Sequence, residues 1–147
     1  MSYLLSQVET EEDLQACFAV RTEVFVQEQA VPEELELDSY DAVALHLLLR
    51  AENGQPVGTA RMMVDNPEGG TAKIGRVAVL AAHRGHGLAR RLMEAMEALA
   101  RQAGQQRLVL DAQLNVLPMY EKLGYQAHGP VFDDAGIDHR KMTKELS

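Results

Sequence analysis

Tryptophan is missing from this 147-residue chain, and the remaining aromatics are three phenylalanines and four tyrosines. A core without many large rings must rest on Leu, Val, Met and Ala, and this length suffices for one domain with a substantial core. A single cysteine, Cys17, excludes an intramolecular disulfide framework and suits a reducing compartment. The longest apolar run, Ala42 to Leu49, is interrupted by His46 and is too short to cross a bilayer. No stretch resembles a signal peptide, so the chain reads as a cytoplasmic protein with no membrane partner. Positive charge is also in deficit. The formal net charge of −8 argues against nucleic acid as a partner, because phosphate backbones require a basic surface.

Charge is unevenly placed. Residues 1–41 hold eleven acids against one base, Arg21, and the rest of the chain holds eleven acids against thirteen bases. Two readings fit: a cationic acceptor facing the acidic part with an anionic cofactor facing the basic part, or plain solvated faces at Glu9 to Asp13 and Glu33 to Asp41.

Tyr3 to Val8 reads as a short strand. Thr10-Glu-Glu-Asp13 then starts a helix, with a capping hydroxyl and acids that complement the helix dipole. Leu14, Cys17, Phe18, Arg21 and Phe25 recur at helical spacing, which predicts a helix to about Gln27 and puts Cys17 on its buried face. Pro32 and the acids behind it mark a loop or a short helix. Three strands follow, at Val43–Leu49, Pro56–Val64 and Thr71–Leu80, turned by Asn53-Gly54 and by Asn66-Pro-Glu-Gly-Gly70. A basic glycine turn, His83 to Gly87, opens a long helix with Leu88, Leu92, Met96, Leu99 and Ala103 on one stripe and Gly104 as its stop. A strand at Arg107–Leu110, a short helix at Asn115–Leu123, a strand at Tyr125–Phe132 and a closing strand at His139–Lys144 complete an α/β domain with a mixed sheet.

The stretch that carries chemistry is Ile74-Gly-Arg-Val-Ala-Val-Leu80 followed, after two alanines, by His83-Arg-Gly-His-Gly-Leu-Ala-Arg-Arg91. A strand delivers the chain to a glycine turn whose N–H groups can point at a ligand, and the next helix adds its positive end. Such a site suits a pyrophosphate. A Walker P-loop is excluded, because no Gly-Lys-Ser/Thr occurs. A Rossmann fingerprint fails as well: Arg90 stands where its third glycine belongs, and the preceding strands form hairpins. Asp111 alone, at the distance of a ribose-binding acid, does not rescue that reading.

Arg84-Gly-His-Gly87-Leu-Ala89 resembles the Gln/Arg-x-x-Gly-x-Gly/Ala hallmark of the GCN5-related N-acetyltransferase family. Asn115-Val-Leu-Pro-Met-Tyr-Glu-Lys-Leu-Gly-Tyr125 is similar to a second segment of that family. The region Arg21-Thr-Glu-Val-Phe-Val-Gln-Glu-Gln-Ala-Val-Pro32, with Glu36-Leu-Asp38 and Asp41, resembles its ElaA/YjcF-like branch.

The resemblance spans nearly the whole chain. It implies a single acyl-CoA N-acyltransferase domain over residues 1–147, with a mostly antiparallel sheet of six to seven strands flanked by about four helices. It implies acetyl-CoA as co-substrate in a cleft where two strands splay apart. Val77, Ala78 and Val79 would pair with the pantetheine arm, and Arg84, Gly85, His86, Gly87, Leu88 and Ala89 would hold the pyrophosphate. Asn115 would touch the pantetheine or adenine end, and Tyr120 would sit near the thioester sulfur as an acid. It also suggests a homodimer.

The base is where the sequence departs from the pattern. Many relatives carry a glutamate on the fourth strand, and here that strand reads Gly75-Arg76-Val77. A guanidinium cannot act as a base. Alternation puts Ile74, Arg76, Ala78 and Leu80 on one face, and Arg76 with Arg61 of a neighbouring strand forms either an anion pocket for the acceptor or exposed surface. His46 is a candidate base or a hydrogen-bonded core residue. Glu28 is a candidate base, a partner for the substrate ammonium, or a solvated carboxylate. The five histidines show no metal-binding spacing. The expected activity is acetyl transfer from acetyl-CoA to the amine of a small acceptor by direct attack in a ternary complex. Its rivals are an acyl-CoA sensor without turnover and a module for another nucleotide.

Overall fold

The computed structural model describes residues 2–64 and 69–146. Most of the turn expected at Asn66–Gly70 therefore lies outside the described residues. Those described form a seven-stranded mixed sheet in the order β1-β2-β3-β4-β5-β7-β6. The strands are β1 (Tyr3–Gln7), β2 (Leu45–Ala51), β3 (Pro56–Val64), β4 (Gly70–Val79), β5 (Gln105–Gln113), β6 (Gln126–Asp134) and β7 (Ile137–Glu145). Only β4 and β5 run parallel. The helices are α1 (Glu11–Arg21), α2 (Glu33–Glu36), α3 (Leu88–Gln102) and α4 (Leu117–Lys122), and α1 continues as a π-helical run, Thr22–Glu28.

The helices lie on both faces. Thr10 caps α1 by accepting from the Asp13 amide at 3.1 Å. α1 packs on β2, β3 and β4 through Cys17, Val20 and the π-helical Val24, all buried. α3 covers the opposite face with Leu88, Leu92, Met93, Met96 and Ala100. This stripe includes Glu97, which is buried against Lys144 at 2.7 Å, whereas Leu99 and Ala103 lie at its half-buried border. Gly104, at φ 73°, ends the helix in the left-handed conformation that favours glycine.

Two expectations are corrected. The last strand does not close the sheet; β7 inserts between β5 and β6. β6 takes the edge because Gly129 and Pro130 interrupt its ladder between His128 and Phe132, and Pro is tolerated at an edge or a bulge. The alternation along β4 also fails. Arg61 lies opposite Gly75 but Thr59 lies opposite Ala78, so Arg76 and Val77 together face the single residue Ala60. This β-bulge, with Arg76 at φ 53°, turns Ile74 and Ala78 to opposite faces of the sheet.

Candidate active site

The parallel pairing of β4 and β5 runs only from Gly70 opposite Gln105 to Lys73 opposite Val109. Beyond it both strands continue unpaired with each other, to Val79 and Gln113, and a V-shaped cleft opens between them. Val77 and the bulge at Arg76 line one wall. The vertex is marked by an ion pair between Lys73 and Asp111 at 3.2 Å.

The glycine turn closes the open end. After β4 comes a 3₁₀ turn, Ala81–His83, then Arg84, Gly85 at φ 84°, His86, and Gly87 at φ 73° as the residue before α3. No side chain caps this helix, and among the described residues the amides of 85–90 find no backbone acceptor. A helix start normally needs such partners. A β-carbon built on Gly85 or Gly87 meets no atom within 4 Å, so the turn presents donors to open space. The fit to a diphosphate is good: free N–H groups, a helix N-terminus, and Arg84, Arg90 and Arg91 nearby in sequence. Leu88 is buried and anchors the turn to the core, Ala89 is half-buried, and His86 is exposed.

Glu28 lies at this end of the cleft. Its two carboxylate oxygens accept from the Arg84 Nη1 and Nη2 atoms at 2.6 and 2.7 Å, and Arg84 Nε donates to the Val79 carbonyl at 2.9 Å. These Arg84 hydrogen bonds hold the Glu28 carboxyl below the ordinary carboxylate range. Next to it, Gln29 accepts from Gln113 at 2.9 Å, so the end of the π-helical run touches both lips of the cleft. A carboxylate saturated by a guanidinium at the glycine-turn end of the cleft is a poor base. Glu28→Gln should leave kcat within about threefold of the parent, in steady-state assays across pH, because an exposed ion pair contributes little. A loss of a hundredfold or more would restore Glu28 as the base.

His46 is on β2 and is separated from the cleft by β3. It is buried, its Nε2 lies 2.9 Å from the Asp41 carbonyl, and its ring packs edge-on against Phe18. This is the core-residue reading of the sequence.

Arg61 and Arg76 are brought together, but onto carboxylates. Arg61 donates to Asp38 at 2.7 and 2.9 Å and to Asp41 at 2.8 Å. Arg76 donates to the Glu36 carbonyl at 2.9 and 3.0 Å and lies 3.3 Å from the Glu36 carboxylate. Arg21 completes the network, donating to Glu36 at 2.7 Å and to Asp41 at 2.6 and 3.2 Å. Three arginines meet three acids, so no net positive charge remains for an acceptor anion. The expected two-arginine pocket is corrected accordingly. Its physical role is to pin α2 to the sheet and to hold the strained bulge, a conformation that costs about 1–3 kcal/mol.

Beyond β5, Asn115 is exposed on a 3₁₀ turn, Leu114–Val116, at the start of the segment that carries α4. Tyr120 is 6% exposed and packs at right angles to Tyr125, with ring centroids 6.0 Å apart. Burial pushes its hydroxyl up to about 12, and that hydroxyl has no hydrogen-bond partner among the described residues. It is a protonated, uncommitted donor at neutral pH. No cluster of metal-ligating side chains occurs among the described residues, and no helix there is long and apolar enough to cross a membrane.

Comparison with known proteins agrees with this fold. The family model for the acetyltransferase (GNAT) domain matches residues 6–146. The uncharacterized N-acetyltransferase YjcF of Bacillus subtilis is 38% identical over 136 residues, which are 92% of this chain and 94% of that protein. Escherichia coli ElaA has the same fold at a TM-score of 0.85 and 25% identity, over 98% of this chain and 100% of its own. The structure of yncA from Salmonella typhimurium, determined with its cofactor acetyl-CoA, shares the fold at a TM-score of 0.78 and 18% identity, over 100% of this chain and 95% of that one. With its acyl-CoA N-acyltransferase fold, its parted β4–β5 cleft and its glycine turn, the chain belongs to the GNAT acetyltransferase family, alongside YjcF and ElaA.

Proposed function

We propose that this protein is an acetyl-CoA-dependent N-acetyltransferase acting on a small amine in a ternary complex. The observation that carries the reading is the cleft between β4 and β5, closed at its wide end by a turn of unpartnered amides. Acetyl-CoA supplies an acetyl group as a thioester, whose carbonyl carbon is open to attack by an amine.

The chain's own residues supply the rest. Amides of Gly85, His86, Gly87, Leu88 and Ala89 hold the diphosphate, with Arg84 bracing the turn against Val79. Backbone groups of Val77, Ala78 and Val79 pair with the pantetheine arm, and Asn115 meets it from the β5 side. Residues 74–79 extend about 20 Å at a strand's rise of about 3.3 Å per residue. An arm that starts at the turn therefore reaches the bulge near the vertex. There an amide freed by the bulge stabilises the developing oxyanion. Tyr120 donates its proton to the leaving sulfur.

Tyr120→Phe should lower kcat about a hundredfold while changing the KM for acetyl-CoA little, since it removes one positioned acid and no bulk. Following CoA release with an amine panel checks this, and an unchanged kcat removes Tyr120 from the mechanism. Calorimetry with acetyl-CoA, ATP and NAD tests the reading itself: acetyl-CoA alone should bind. No heat with acetyl-CoA at tens of micromolar protein would sink the proposal.

A further inference from the structure

The vertex of the cleft opens onto a row of charged side chains that crosses four strands. Strand register puts Lys73, Asp111, Lys141 and His128 on one face: Lys73 pairs with Val109, Asp111 lies directly opposite Lys141, and Lys141 opposite His128. It is the face on which α1 and the π-helical run sit, since Arg61 and Gly75 share it. Those helical segments pack mainly on β2, β3 and β4 and meet β5 at its end, at Gln113. The uncovered part is a groove of about 430 Å³, lined by Lys73, Asp111, Lys141 and His128 with Gly129, Pro130 and Phe132 as its apolar wall.

Its charge runs against that of the molecule. The chain carries a net −8, yet the groove holds two lysines against one aspartate. Lys73 is committed to Asp111 at 3.2 Å, whereas the Lys141 ammonium has no hydrogen bond or ion pair among the described residues. Facing positions on neighbouring strands are about 5 Å apart. A small amino acid is shorter than this, and the long Lys141 side chain spans the difference, so one such molecule can meet both groups.

We infer that this groove is the acceptor site and that it takes a small amine which also carries a carboxylate. The inference rests on the reading of the cleft given above and adds the acceptor's chemical class. Asp111, at the vertex, holds the ammonium beside the point the thioester reaches, and Lys141 holds the carboxylate one strand away. Phe132 and Pro130 cover the carbon skeleton. The ammonium gives a proton to water in the open groove. Its nitrogen then bonds to the carbonyl carbon as the carbon–sulfur bond breaks, and one of its two N–H protons leaves to water while the other stays on the amide. The thiolate takes a proton from Tyr120, which water restores. The anion site assigned by sequence to Arg61 and Arg76 thus moves to Lys141 on β7.

The test compares alanine and β-alanine with their carboxamides as acceptors, together with calorimetry of acetyl-CoA alone. The carboxamides are the more easily deprotonated amines, so intrinsic reactivity works against the expected result. The acids should show at least tenfold higher kcat/KM. Lys141→Met should remove most of that preference by raising the KM for the acids ten- to a hundredfold, with acetyl-CoA affinity and the melting temperature unchanged. Lys141→Arg should restore it. Acetyl-CoA binding combined with equal or better use of the carboxamides overturns the acceptor assignment alone. So does a failure of the acids either to be acetylated or to shift NMR resonances of the acetyl-CoA-loaded protein. Absence of acetyl-CoA binding overturns the reading of the cleft instead.

Discussion

Arg21→Met should lower the unfolding free energy by about 3–5 kcal/mol, the cost of breaking a buried ion pair from one side. Arg21 is 1% exposed and joins Glu36, itself 2% exposed, to Asp41 through four hydrogen bonds. Methionine fills a similar volume but, among the described residues, leaves the Glu36 carboxylate with only Arg76 at 3.3 Å, and that of Asp41 with only Arg61 and the Asp38 amide. Urea titration followed by circular dichroism measures the loss. Should the variant fail to fold, Arg21→Lys keeps the charge without the fork and is expected to cost about 1–3 kcal/mol. A loss under 1 kcal/mol in both would mean that the network is not a stabilising feature of the fold.

The same network sets an acid limit. Burial alone would raise the Asp41 carboxyl, but hydrogen bonds from Arg21, the Asp38 amide and Arg61 bring it from 3.8 down to about 2. A depressed folded-state value contributes stability that is fully present above pH 3.8 and disappears as pH falls through about 2. The contribution is about 2 kcal/mol. Melting curves recorded between pH 5 and pH 2 should show this loss for the parent. In Asp41→Asn the acid-dependent part should shrink.

Gly87→Val should weaken acetyl-CoA binding at least a hundredfold, while the fold survives. Gly87 sits at φ 73°, where a side chain costs about 1–2 kcal/mol. Its β-carbon would otherwise meet nothing in the free protein. Stability therefore falls by little more than the backbone term. Binding falls far more, because the added branched side chain occupies the open side of the turn and tilts the first amides of α3 away from the diphosphate. Gly85→Val, at φ 84°, should act in the same direction. Calorimetry with acetyl-CoA, alongside a melting curve for each variant, separates the two effects. Binding at parental strength would show that the diphosphate lies elsewhere.

These two expectations differ in how far they could be read from sequence. The glycine turn is a local object. Its residues are contiguous, a strand precedes it and a helix follows, and Arg84, Gly87 and Ala89 keep the spacing that the turn's backbone requires. The same holds for the helical stripe Leu88, Leu92 and Met96, and for the hairpin at Asn53-Gly54. The buried network is not local. Arg21, Glu36, Asp41, Arg61 and Arg76 come from five places in the chain, and in sequence the acids look like solvated runs. Only packing of α1 and α2 on the sheet removes them from water, and burial forces each charge to find a partner.

The amino-acid sequence by itself determined the family, the α/β class and the glycine turn that opens the long helix, because these depend on short-range spacing and on residue types that backbone geometry demands. Tertiary structure decided the rest. A one-residue bulge at Arg76 reversed the faces of β4, which no periodicity could foretell, since alternation assumes an unbroken pleat. Insertion of β7 between β5 and β6 assembled Lys73, Asp111, Lys141 and His128 into one row from four separate strands. Glu28 and His46, attractive as bases in one dimension, were fixed by Arg84 and by the Asp41 carbonyl in three. Strand order and the partner of each buried charge are properties of the closed sheet, so they emerge only when the chain is folded.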